Sequence, residues 1–158
     1  MNLPRSEPRI LVVDDDRQEL DQTLDAIRKH GACYEARIAL GAFEALDYLL
    51  GRGRFHERRR HPLPDVILLD LGMAPLDGLA VLRRIKHVEF LRRIPVVILC
   101  DSEQELERAM RDASGACACV VKPISPESFN DLLQQAIPWT LDAPKAYSAM
   151  RSGSDTAL

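Results

Sequence analysis

Long apolar runs are missing from this chain. No stretch approaches the roughly 20 consecutive apolar residues that a membrane-spanning helix needs. Met1 to Arg9 holds no apolar core of a secretory signal. Charge of one sign is missing too. The 24 acidic and 21 basic residues leave a net charge of −3, so the whole chain has no electrostatic reason to bind nucleic acid or an anionic membrane. Cysteine is scarce, and without a secretory signal Cys33, Cys100, Cys117 and Cys119 are not expected to form a disulfide framework. Cys117 and Cys119 have no second Cys/His pair near them, which speaks against zinc. They read instead as small apolar residues on one side of a strand. Repeats and low-complexity blocks are absent. The expectation is a soluble cytoplasmic domain with neither nucleic acid nor membrane among its partners.

What is present suffices for one core. The chain has 158 residues, 46% of them hydrophobic, which suits a single globular domain. The expected organisation is an N-terminal arm over 1–8, a domain over 9–138 and a polar tail over 139–158. Four apolar runs read as buried parallel strands: Ile10–Val13, Val66–Leu69, Val96–Leu99 and Cys119–Val121. Cys33 to Ala39 partly alternates, as an edge strand would.

Helical stripes lie between the runs. They are Leu20/Leu24/Ile27, Ala42/Ala45/Leu46/Leu49, Leu79/Leu82/Ile85, Leu106/Ala109/Met110/Ala113 and Phe129/Leu132/Leu133/Ala136. Asp16-x-x-Glu19 and Ser102-x-x-Glu105 read as capping boxes, and Ser125-Pro126 as an N-cap followed by proline at the first helical position. Strands alternating with helices predict a parallel sheet covered on both faces, joined by right-handed crossovers.

In such sheets ligands bind beyond the carboxyl ends of the strands. The first run is followed by Asp14, Asp15 and Asp16, the second by Asp70, the third by Cys100, Asp101 and Ser102, and the fourth by Lys122. Acids and a lysine therefore converge on one rim. Clustered carboxylates repel unless a cation offsets them, and the natural cation for oxygen ligands is Mg²⁺. Asp16 reads better as the first helix's N-cap, Asp77 as a turn or cap residue before the third helix, and Asp101 as a solvated loop acid.

These residues, in this order, resemble the receiver domain of two-component response regulators. Ile10–Asp15 resembles the family's acidic pair after the first strand. Asp65–Leu71 with Asp77-Gly78 resembles its phosphoacceptor strand and loop, Ile94–Leu99 its fourth strand, and Gly115-Ala116 with Val120–Pro123 its fifth-strand region. The match spans roughly Arg9 to Ile137. The resemblance implies a flavodoxin-like, doubly wound α/β fold, with a five-stranded parallel sheet in the order 2-1-3-4-5 and five helices. It implies that Asp70 accepts a phosphoryl group from a sensor histidine kinase. Asp15, Asp70 and the Gly72 carbonyl would ligate Mg²⁺, and Asp14 would complete the pocket through water. Lys122, ahead of a cis Pro123, would offset the carboxylates and then pair with the phosphate.

Several positions depart from the family's pattern. Cys100 stands where a Thr or Ser hydroxyl usually binds the phosphate, and Cys119 where an aromatic usually moves with it. Ala74 replaces a proline, with Pro75 one position later. The intact acids and lysine favour a phosphorylated single-domain regulator that signals by protein contacts. The two cysteines favour the alternative, a phosphorylation-independent interaction module. An aspartate-nucleophile phosphatase is disfavoured, because Gly72 stands where its general acid belongs; no enzyme is expected.

Two further regions stand out. The segment Arg52–His61 is rich in arginine, and it reads either as a solvated loop or as a contact surface for a kinase or acidic partner. Its length, with no effector domain following, resembles the single-domain regulators that work with bacterial phytochromes. A homodimer through the last helix and neighbouring strand edge is also expected, with Trp139 at the end of that helix.

Overall fold

The computed structural model describes residues 7–29 and 34–136. The strands are β1 (Arg9–Asp14), β2 (Glu35–Leu40), β3 (Val66–Asp70), β4 (Val96–Cys100) and β5 (Ala118–Val121). The helices are α1 (Arg17–Lys29), α2 (Ala42–Leu50), α3 (Gly78–Lys86), α4 (Glu103–Asp112) and α5 (Pro126–Ala136). All strand pairs are parallel, in the order β2-β1-β3-β4-β5. This is the expected flavodoxin-like architecture.

The central strands are apolar throughout because both sheet faces are covered, yet their side chains still alternate. Leu11, Val13, Ile67, Leu69 and Ile98 pack with α2 and α3 on one face. Ile10, Val12, Leu68, Val97 and Leu99 pack with α1 and α5 on the other. Each of β1, β3 and β4 runs one residue past its apolar run. Asp14, Asp70 and Cys100 are therefore the last residues of strands, held by the ladder itself.

The expected N-caps form, but neither capping box closes: the Asp16 amide donates to Asp14 Oδ1, and Glu105 Oε2 accepts from the Asp101 amide instead of that of Ser102. Asp16 Oδ1 accepts from the amides of Gln18 (2.9 Å) and Glu19 (3.2 Å). Asp77 caps α3 through the Ala80 amide, Ser102 caps α4 through that of Glu105, and Ser125 accepts from the Ser128 amide ahead of α5. Gly78 is required at the start of α3. A Cβ there would press on the carbonyl oxygen of Asp70 and lie 2.9 Å from the Cα of Leu71.

Several expectations need correction. The edge strand runs Glu35–Leu40, and Cys33 lies outside the described residues, as does Trp139. Cys117 precedes β5 and is exposed, so only Cys119 of that pair lies on the strand. Met110 is 73% exposed: it follows the buried Ala109, and one residue rotates a helix position by about 100°, off the buried stripe. Ala113 lies past the last turn of α4 as its cap. The Arg52–His61 segment is not simply solvated. The Arg58 guanidinium donates to the carbonyls of Tyr48 (2.7 Å), Leu49 (2.6 Å) and His61 (3.2 Å). Those of Tyr48 and Leu49 belong to the last turn of α2; the Tyr48 carbonyl also accepts from the Gly51 amide at 3.2 Å, so Arg58 supplements the backbone cap there. Phe55 is buried beside the Tyr48 and His61 rings, with both centroid distances 5.1 Å.

Candidate functional site

The parallel register brings the ends of β1, β3 and β5 together. Cys100 pairs with Val121, and the Lys122 amide donates to the Cys100 carbonyl at 2.7 Å. This turns the Lys122 side chain toward the neighbouring strand ends. Its ammonium donates to Asp70 Oδ1 (2.7 Å), Asp14 Oδ2 (3.1 Å) and Glu19 Oε2 (2.8 Å), and lies 3.1 Å from Asp101 Oδ1. Asp14 and Asp70 are buried, and the Lys122 side chain is 10% exposed. Asp15, next along the chain, is exposed, and its Oδ2 accepts from the Ala74 amide at 3.3 Å.

Asp14, Asp15 and Asp70 each offer an oxygen, all within 4.8 Å of one another. Three hard oxygen donors with an open side facing solvent fit a divalent cation that keeps several waters. Gly72 is exposed beside them, and an ideal Cβ there would lie 4.0 Å from Asp70 Oδ2.

One ammonium thus faces four carboxylates. The Asp70 carboxyl is pushed up to about 7, first by burial and then by the charges of Asp14 and Asp101, against the pull of Lys122. Burial alone would lower Lys122, but its hydrogen bonds to Asp70 and Glu19 prevail and hold it above the usual lysine range. The site without a cation therefore has excess negative charge that a metal ion or a proton would relieve.

Glu19 and Asp101 are the Lys122 contacts that the sequence did not signal. Glu19 was expected to close a capping box. Its carboxylate reaches Lys122 instead, while the Asp16 amide donates to Asp14 Oδ1 at 3.0 Å. Asp101 is exposed, as a loop acid would be, yet one oxygen points at the ammonium. No local pattern signals either contact, because both depend on Lys122, which lies 103 residues from Glu19.

The β4–β5 side of the rim is apolar. Cys100 is fully buried in the core on the α2–α3 face, and Cys119 is half-buried against it. Burial pushes the Cys100 thiol up to about 11, with the neighbouring Cys119 adding to the shift. It is neutral at ordinary pH. Lys122–Pro123 is cis, as expected, and Ala74–Pro75 is cis as well.

The family model for the response regulator receiver domain matches residues 10–134. The chain belongs to this family. Among solved structures, the receiver resembles the bacteriophytochrome response regulator AtBRR, with 38% identity and a TM-score of 0.71, covering 84% of this chain and 94% of that one. For the bacteriophytochrome response regulator RtBRR the figures are 32%, 0.75, 95% and 92%. A curated relative, the probable methanogenesis regulatory protein FilR2 of Methanothrix harundinacea, is 31% identical over 126 residues, or 80% of this chain and 79% of its own. The chain spans between 53% and 79% of the length of the first curated relatives it matches. Receiver-domain regulators are signalling proteins of two-component systems. Among the described residues no helix is long and apolar enough to cross a membrane.

Proposed function

We propose that this receiver accepts a phosphoryl group on Asp70 from a sensor histidine kinase, in a Mg²⁺-dependent reaction, and signals through protein contacts. The observation that carries this reading is the convergence of Asp14, Asp15, Asp70 and Lys122 at one strand rim. In the transfer, an Asp70 carboxylate oxygen forms a bond to phosphorus. The bond from phosphorus to the donor histidine nitrogen breaks, and its electron pair stays on that nitrogen. Asp14, Asp15 and Asp70, with the Gly72 carbonyl, would hold Mg²⁺, which when bound supplies positive charge beside the entering phosphoryl oxygens. Lys122 exchanges its bond to Asp70 for one to a phosphate oxygen, while Glu19 and Asp101 keep the ammonium in place. The role of Lys122 is electrostatic: it neutralises charge that grows on the rim.

Two similar solved structures support the chemistry. The cyanobacterial phytochrome response regulator RcpA, 25% identical with a TM-score of 0.69, is described as phosphorylated. Rcp1, 25% identical with a TM-score of 0.62, is described as Mn²⁺-bound. Similarity to AtBRR and RtBRR supports a phytochrome-type kinase as the donor. A receiver spanning 9–138, with a homodimer through α5 and the β5 edge, belongs to the same proposal. Sedimentation of the phosphorylated and unphosphorylated protein tests the dimer, and a monomer at every concentration refutes it.

The decisive experiment is intact mass after incubation with acetyl phosphate. Wild type with Mg²⁺ gains one phosphoryl group, whereas Asp70→Asn, or wild type in excess EDTA, gains none. Unlabelled wild type with Mg²⁺ present would instead favour a phosphorylation-independent interaction module.

A further inference from the structure

The acidic rim has a counterpart at the other end of the sheet. The connection from α2 to β3 carries five arginines between positions 52 and 60. The end of α3 and the connection to β4 carry Arg83, Arg84, Lys86, Arg92 and Arg93 against one acid, Glu89. Part of this charge is already used. Arg58 caps α2, Arg54 pairs with Glu44, Arg52 lies 3.2 Å from Asp47, and the Lys86 ammonium donates to the Arg92 and Ile94 carbonyls. Among the described residues, no carboxylate forms an ion pair with Arg83, Arg84, Arg92 or Arg93.

Between the two basic segments lies an open groove of about 330 Å³. Its floor is Leu46 and Leu50 of α2 with Val88 and Leu91 after α3, and its rim is Arg52, Arg84 and His87. Leu50 and Val88 are only partly covered by the core they pack on. Phe90, in the same connection, is 56% exposed. Aliphatic floor, cationic rim and adjacent exposed ring thus meet in one patch of a chain whose net charge is −3.

We propose that this basal groove docks an acidic segment of a partner protein. An aliphatic or aromatic side chain of the segment enters between Leu50 and Val88, and a flanking carboxylate meets Arg84, which has no ion-pair partner among the described residues. Charge complementarity selects an acidic occupant. The aliphatic floor selects a peptide over nucleic acid, because single strands are held by stacking on aromatic faces. None of the residues lining the groove belongs to the acidic rim, and β3, which ends at Asp70, is itself roughly 13 Å long. Docking therefore leaves the phosphoryl site open, and it goes beyond the phosphotransfer reading without needing it.

The test uses a short fluorescent peptide of glutamates around a central Leu-Leu pair, the same peptide with Ser-Ser, and a fluorescent single-stranded oligonucleotide. Binding to the full chain is followed by anisotropy and mapped by amide chemical shifts. The leucine peptide is expected to bind, with shifts concentrated over Leu46–Arg52 and Arg84–Leu91. Arg84→Glu should weaken it about tenfold or more. Arg83→Glu makes the same charge change on an exposed residue off the groove and should weaken it less than about threefold. The serine peptide should bind distinctly more weakly. Absent binding, equal loss from both variants, or equal affinity of the two peptides would each overturn the proposal. So would tighter binding of the oligonucleotide at the same amides.

Discussion

The two halves of the upper rim are built from opposite materials. On the β1–β3 side, Asp14, Asp15 and Asp70 crowd within 4.8 Å of one another and Lys122 bonds two of them. On the β4–β5 side, Cys100 and Cys119 sit in apolar packing, and Cys100 is wholly buried. The first half crowds negative charge that a cation or a proton would offset. The second offers a weak sulfur donor where a hydroxyl would make a short bond to a charged oxygen. If phosphorylation takes place on the charged half and the cysteine half reads it out, as proposed, each can be perturbed by substitutions on its own side.

The largest expected effect falls on the charged half. Asp70→Asn should abolish phosphorylation by acetyl phosphate altogether, and Lys122→Ala should slow it by about a hundredfold. Time-resolved intact mass checks both. Labelling of Asp70→Asn at the wild-type level would place the acceptor elsewhere and dissolve the contrast between the halves.

The next effect is on stability. The Asp70 carboxyl stands at about 7 in the folded chain against an ordinary 3.8. Its protonated form is the one the fold favours. The stability this proton contributes is complete below about pH 4 and is lost as pH rises through 7. In EDTA at about pH 8, Asp70→Asn should therefore be more stable than wild type, by on the order of 2 kcal/mol. Mg²⁺ should narrow that gap, because it offsets the carboxylate charge in wild type. Urea unfolding with and without Mg²⁺ measures it, and an Asp70→Asn variant less stable than wild type in EDTA would show that Lys122 alone balances the rim.

A smaller effect is expected on the readout half. A hydroxyl to a charged oxygen is worth about 1.5–3 kcal/mol, against about 5.5 kcal/mol needed to carry a switch from 1:99 to 99:1. Cys100→Thr should accordingly enlarge the amide shifts that beryllofluoride causes between Cys100 and Cys119. A wild-type response of equal size would mean that other contacts read the phosphate.

The last effect, confined to the alkaline range and absent at ordinary pH, is a pH dependence. The folded Cys100 thiol titrates at about 11 against an ordinary 9.0. The stability it contributes is complete below about pH 9 and is lost as pH rises through 11. Relative to Cys100→Ala, wild type should lose up to about tenfold in its folding constant per pH unit across that window. Parallel profiles of the two proteins would show that the thiol is less buried than its packing indicates.

The same division marks what was legible in the sequence. Asp14, Asp15, Asp70 and Lys122 were readable because each follows an uninterrupted apolar run, and parallel strands deliver their carboxyl ends to one rim. The caps Asp16, Asp77 and Ser102 were readable because capping is local. Glu19 and Asp101 were not, since nothing near either residue says that it will face a lysine from the far end of the chain. Met110 was misplaced because it sits next to the true stripe position, and apolar character outweighed the angle. Arg58 looked like one basic residue in a solvated run, yet it closes α2 from ten residues away.

The sequence by itself therefore determined the parallel α/β fold, the alternation of buried faces and the acids at the strand ends, because periodicity and capping act over a few residues. Only the tertiary structure decided which carboxylates share Lys122, how far burial raises Asp70, and that the two basic segments frame one groove. Those are matters of distance and solvent exclusion between residues remote in sequence, and they exist only once the sheet has been assembled.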